Sequence, residues 1–196
     1  MKRICVYCGS GTGNLQDFQS AAERLGALMV KQGIGLVYGG GNIGLMGVVA
    51  RTVLASGGEV IGVIPKALMD RELGLRSCTE LIVVDSMHER KKRMADASDA
   101  FIAMPGGIGT LEELFETFTW QQLKFHDKPL GLLNVSGYYD QLLAFLKHAV
   151  ASKFLAQEHL DSLLVSSDEL EMLDSLQRWS PPSEGKWAAR LDPSGR

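Results

Sequence analysis

Seven short, β-rich apolar runs alternate with helical patterns along most of the chain, and this alternation restricts the fold more than any other feature. The runs are Arg3–Cys8, Gly35–Tyr38, Glu59–Ile64, Leu81–Asp85, Ala100–Met104, Leu130–Asn134 and a short Leu163–Val165. Helical spacing covers Leu15–Lys31, Gly44–Ala55, Met87–Ala97, Thr110–Lys124, Tyr138–Ala151 and Ser167–Trp179, with a weaker segment at Ala156–Ser162. The apolar runs are continuous rather than alternating, as strands covered on both faces require. Strand–helix–strand repetition implies right-handed crossovers and a parallel sheet. The expected architecture is an α/β fold: a single Rossmann-like, doubly wound parallel sheet with helices on both faces.

A chain of 196 residues suits one domain. That domain is expected over 1–179. From Ser180 the sequence SPPSEGKWAARLDPSGR is rich in Pro, Ser and Gly, so 180–196 is expected to be a flexible tail. The net charge of −3 argues against a general nucleic-acid binder. No apolar run approaches the roughly 20 residues of a membrane span, and the N-terminal apolar run is too short for a signal peptide. Cys5, Cys8 and Cys78 are too few and too odd in number for a disulfide framework. Cys5 and Cys8 fit a CxxC spacing, but residues three apart in a strand point to opposite faces, which disfavours a redox or metal role. The expectation is a cytoplasmic protein with free thiols and no metal site.

Glycine clusters follow three of the runs: Gly9–Gly13, Gly39–Gly47 and Pro105–Thr110. In a parallel sheet all three lie at the carboxyl edge, where open α/β folds bind ligands. Each also opens a helix, whose free N–H groups and dipole favour an anion. A single turn of this kind could simply need glycine for its backbone, but three converging turns point to a phosphate-bearing ligand. A dinucleotide fingerprint needs a third glycine where this chain has Asn14, and an acidic residue after the second strand, where it reads Tyr38-Gly39-Gly40. No Walker A pattern occurs. A mononucleotide or sugar phosphate fits better than a redox cofactor or a triphosphate, and no cofactor is expected.

Two charged segments need an account. In Ser86–Ser98, helical spacing places Met87, Met94 and Ser98 on one face with Arg90 and Lys91 flanking it. Glu89, Lys92, Arg93 and Asp96 lie on the opposite, solvated face. Arg90 is either a partly buried guanidinium that needs an anionic partner or a snorkelling arginine at the stripe's edge. In the helix that follows Pro105, the core stripe is Leu111, Leu114, Phe115 and Phe118, and Glu113 points away from it, in line with Trp120. Thr110-Leu111-Glu112-Glu113 reads as a capping box. Trp120 on the same side suggests a face covered by ligand or a partner subunit.

These residues carry a resemblance. MHERK (Met87–Lys91) followed by PGGIGTLEE (Pro105–Glu113) is similar to the paired signature of the LONELY GUY family, cytokinin riboside 5′-monophosphate phosphoribohydrolases. The pattern PGGxGTxxE is filled without departure, and CGS (Cys8–Ser10), GGGNIGLMG (Gly39–Gly47) and TWQQLKFHDKPLGLLN (Thr119–Asn134) also match. Members are often labelled lysine decarboxylases, but no pyridoxal-phosphate lysine context is visible here. The resemblance implies hydrolysis of the N-glycosidic bond of a purine riboside 5′-monophosphate or AMP, giving free base and ribose 5-phosphate. It implies a homodimer and a catalytic pair, Arg90 and Glu113. Substrate contacts are implied at Glu72, Arg90, Lys91, Thr119 and the run Gly106, Gly107, Ile108, Gly109, Thr110, Leu111, Glu112 and Glu113. Ser10 and Gly41 join them from the other glycine clusters.

On this reading glycines and carboxylates serve different parts of one substrate. The phosphate sits on the amides of Gly107–Thr110, and Glu113, a turn further in, faces the ribose. Arg90 binds the phosphate or the leaving base and holds Glu113 ionised. The alternative is a non-catalytic nucleotide or molybdenum-cofactor binding protein of the same fold, which would need the glycines but neither Arg90 nor Glu113.

Overall fold

The computed structural model describes residues 1–69 and 74–181. The first half of the chain runs β1 (Arg3–Tyr7), α1 (Gln16–Lys31), β2 (Gly35–Tyr38), α2 (Gly44–Ala55), β3 (Val60–Pro65), α3 (Lys66–Met69), β4 (Glu80–Val84) and α4 (Met87–Asp96). The second half runs β5 (Ala100–Ala103), α5 (Ile108–Gln122), β6 (Leu130–Leu133), α6 (Asp140–Ala151), α7 (Gln157–Ser162), β7 (Leu163–Ser166) and α8 (Glu169–Arg178). The strands form one sheet in the order β4-β3-β2-β1-β5-β6-β7, and every pairing is parallel. The expected doubly wound α/β sheet is therefore present.

Period-two alternation divides each central strand between two cores. Ile4, Val6, Leu36, Tyr38 and Ile102 pack with Leu25 and Met29 of α1, Val49 and Val53 of α2 and Leu173 of α8. Cys5, Val37, Val63, Phe101 and Leu130 face the other way, onto Met94 of α4, Leu114 and Phe118 of α5 and Leu146 of α6. Both faces are covered, so the strands read as continuous apolar runs. Cys5 and Cys8 fall into different cores, as a strand's pleat dictates, and both are free thiols.

The chain winds outward from β1 through β2 and β3 to β4, returns to β5 beside β1, then winds outward the other way. The order reverses between β1 and β5, which opens a crevice at their carboxyl ends. Gly9 N–H donates to Pro105 O across it at 3.0 Å, tying the first glycine turn to the third.

Most elements begin or end within one or two residues of the expected positions, the short α3 lies where no helix is expected, and two boundary differences bear on the site. Helix α5 begins at Ile108, with Gly107 as its N-cap in extended conformation. Thr110 is thus the third residue of the helix rather than its cap, and Thr110–Glu113 is not a capping box. Helix α6 begins at Asp140 rather than Tyr138, because Val135–Gly137 forms a 3₁₀ turn in which Ser136 has φ 50°. Among the described residues, no helix is long and apolar enough to cross a membrane.

Candidate active site

Ser86 caps α4 by accepting Glu89 N–H at 3.1 Å. The helix then turns Arg90, Lys91, Met94 and Ala95 inward. Arg90 is only 6% exposed. Its Nε donates to Val63 O at 3.1 Å and its Nη2 to Gly39 O at 2.9 Å, carbonyls at the carboxyl ends of β3 and β2. Its Nη1 lies 4.0 Å from Glu113 Oε1, and the Glu113 side chain is 11% exposed. Of the two readings of Arg90 the structure selects the first: it is buried, and its anionic partner is Glu113. Carbonyls and a carboxylate together offset the desolvation that burying a guanidinium costs.

This pair lies in the wall of a hollow of about 220 Å³ over the end of β1, between α2, α4 and the start of α5. Gly107, Ile108, Gly109 and Thr110 form one rim, and their first-turn amides have no helix carbonyl to bond. Cys8 and Ser10 come from the end of β1, while Met46 and Met87 supply soft apolar surface. A methyl group added at Gly107 or at Gly109 would meet nothing within 4 Å. Neither residue needs to be glycine for packing, so the space in front of them is open for a ligand. A second hollow of about 280 Å³ adjoins the first through Ser10 and Gly107, and Phe18, Gly106 and Tyr138 line it.

Lys91 does not line the hollow. Its ammonium bridges Glu112 at 2.5 Å and Glu116 at 2.9 Å, and Glu112 in turn faces the hollow. Burial lowers the Lys91 pKa, but the hydrogen bonds and charges of the two glutamates outweigh it, and the ammonium titrates above its usual range. At Cys8, burial first and the charge of Glu113 second push the thiol well above the normal thiol range. Cys8 is therefore a neutral thiol at pH 7 rather than a nucleophile.

The other expected contacts are dispersed. Leu111 is part-buried against the core beneath the sheet. Gly41 is buried in the turn after β2 and lines neither hollow. Thr119 sits exposed on α5, with its hydroxyl donating to Phe115 O at 2.7 Å. Trp120 lies two turns along α5 from Glu113 on the same side of the helix, as the spacing implies, but it lines a separate hollow of about 460 Å³ with His88, Lys92, Phe125 and His126. Glu72 lies outside the described residues.

Sequence reasoning missed the carbonyls of Gly39 and Val63, because an arginine's backbone partners leave no residue-type signature. It also missed Tyr138, whose hydroxyl donates to Gly106 O at 2.6 Å and so holds the third glycine turn. Met46 was visible within the second glycine cluster but carries no chemistry that would single it out.

A doubly wound parallel sheet whose switch-point crevice is lined by a helix N-terminus, a buried arginine and a carboxylate defines the class as Rossmann-like. Known proteins narrow this class. The family model described as "Possible lysine decarboxylase" matches residues 46–176. Cytokinin riboside 5′-monophosphate phosphoribohydrolase LOG1 of Arabidopsis thaliana is 49% identical over 183 residues, 93% of this chain and 86% of that one. The LOG protein of Oryza sativa subsp. japonica is 50% identical over 93% of this chain and 76% of its own length. The chain belongs to the LOG family. The Moco carrier protein of Chlamydomonas reinhardtii shares the fold, with a TM-score of 0.68 at 20% identity over 90% of this chain and 95% of that one. The molybdenum cofactor binding protein of Rippkaea orientalis does so with a TM-score of 0.67 at 22% identity over 90% and 96%.

Proposed function

We propose that this protein hydrolyses the N-glycosidic bond of purine riboside 5′-monophosphates, AMP and its N6-substituted cytokinin forms, to give free base and ribose 5-phosphate. The observation that carries the reading is the Arg90–Glu113 pair, buried beside the α5 N-terminus at the switch point. The LOG relatives supply the substrate class.

The division of labour follows from the site's chemistry. The 5′-phosphate takes the amides of the Gly107–Thr110 turn, with Ser10 opposite. The ribose then faces Glu113. As the C1′–N9 bond breaks, positive charge grows on C1′ and O4′ and negative charge on the departing base. The Glu113 carboxylate stabilises the first and orients the attacking water, whose oxygen bonds to C1′. The Arg90 guanidinium stabilises the departing base or the phosphate as a cation rather than as an acid. The attacking water gives up one proton to solvent and the departing base takes one up from solvent, so one water is added across the C1′–N9 bond. These interactions strengthen as charge develops, so they favour the transition state over the bound substrate.

The decarboxylase description has no counterpart in this site. A Schiff-base lysine needs a depressed pKa, whereas Lys91 is held charged between two glutamates. A non-catalytic carrier of the same fold would use the glycine turns without a buried Arg–Glu pair.

The assembly we propose is a homodimer. Ile108, Phe125 and Phe154 are 82%, 73% and 92% exposed, and the Trp120 hollow adds further apolar surface. With free thiols throughout, the compartment proposed is the cytoplasm. Equimolar adenine and ribose 5-phosphate from AMP, with no inorganic phosphate, is the outcome that supports hydrolysis. Inorganic phosphate as the product would overturn it.

A further inference from the structure

We infer that Gly39 is a positioning residue for this reaction: the lack of a side chain there is what seats the Arg90 guanidinium so that it faces Glu113. The inference rests on the proposed hydrolase reading. Two contacts fix the guanidinium, Nε to Val63 O and Nη2 to Gly39 O. Because the group is planar, fixing two of its nitrogens fixes the third. Nη1 is left pointing at Glu113 Oε1, 4.0 Å away, beside Met87 Sδ at 3.9 Å.

A Cβ built on Gly39 would lie 2.0 Å from Arg90 Nη2 and 3.1 Å from its Cζ. The next neighbour, Met46 Sδ at 3.4 Å, is in ordinary contact. The backbone imposes no demand of its own, since Gly39 is not among the positive-φ glycines, whereas its neighbour Gly40 is, at φ 78°. Alanine at position 39 is therefore forbidden by the arginine head group and by nothing else close to it. Gly39 from the end of β2 and Arg90 from α4 form one functional unit.

The consequence is that Gly39→Ala displaces Arg90 rather than the fold. A misplacement of about 1 Å at a catalytic group costs about 10² in rate. A double-mutant cycle of Gly39→Ala, Arg90→Lys and the pair tests this, because lysine has no Nη2 to meet the new methyl. The expected result is a loss of about 10²-fold in kcat and a lowered Tm for Gly39→Ala when Arg90 is intact. When Gly39→Ala is combined with Arg90→Lys, it should alter kcat by less than about twofold relative to Arg90→Lys alone and leave Tm unmoved. If Gly39→Ala alone is insoluble, recovery of folded protein in the double variant supports the inference equally.

Equal losses in both backgrounds, or wild-type turnover and Tm in Gly39→Ala, would overturn it. Should the wild-type protein release no base, the hydrolase reading fails and takes the positioning role with it. The Tm cycle still reports the Gly39–Arg90 coupling in that case, which separates the two failures.

Discussion

Arg90 Nη1 lies 4.0 Å from Glu113 Oε1, and the two side chains reach that distance from different helices, α4 and α5. Neither helix alone contains the site. The pair exists because β1 and β5 are neighbours, which brings the helices before and after β5 together over the crevice.

Removing either partner should abolish most catalysis. Glu113→Gln and Arg90→Ala are each expected to lose about 10²–10³ in kcat, or about 3–4 kcal/mol of transition-state stabilisation. Circular dichroism melts should show both variants folded. Near-wild-type turnover in one would remove that residue from the mechanism.

The open glycines separate binding from folding. Gly109 is the second residue of α5 and has room for a methyl group. Gly109→Ala should keep or slightly raise Tm, since alanine favours a helix by up to about 1 kcal/mol. Its KM for monophosphates should rise at least about tenfold, because phosphate and methyl compete for one space. An unchanged KM would move the phosphate elsewhere.

The adjacent tyrosines should differ. Tyr139 donates to Met104 O at 2.6 Å and is 2% exposed, whereas Tyr138 is 45% exposed. Tyr139→Phe leaves a buried carbonyl unsatisfied and should cost about 1–3 kcal/mol. Tyr138→Phe leaves a carbonyl that water can reach and should cost about 0.5–1 kcal/mol. Chemical denaturation of both variants checks the order.

Lys91→Gln should destabilise the protein by about 1–2 kcal/mol, less than for a fully buried ion pair because Glu112 is half exposed. The folded-state pKa of Lys91 is raised above 10.5, so its contribution is fully present below pH 10.5 and is lost as pH rises through the folded value. The Tm difference between wild type and variant should stay constant from neutral pH to about 10 and narrow above it. A difference that disappears at neutral pH would show that the bridge contributes nothing.

The sheet was legible in the sequence because both its faces are covered. Strands such as Ala100–Met104 then read as unbroken apolar runs, and glycine clusters mark where three of them end. The candidate pair was legible for a different reason: Arg90 breaks the solvated pattern of its helix, and PGGIGTLEE matches a family signature. What stayed hidden depends on three-dimensional contacts. Thr110–Glu113 imitates a capping box in one dimension, but Gly107 starts the helix earlier. Trp120 shares a helical face with Glu113 by spacing, yet the two residues line different hollows. Gly39 reads as one more turn glycine until the Arg90 head group is placed against it.

The most direct measurement is chromatographic: incubate the protein with AMP, N6-isopentenyl-AMP and the matching unphosphorylated ribosides, with Glu113→Gln in parallel, and quantify free base. Base released from the monophosphates alone, and lost in the variant, is the expected result. No base from any of the four substrates with folded wild-type protein would contradict the hydrolase reading and favour a nucleotide-binding module instead.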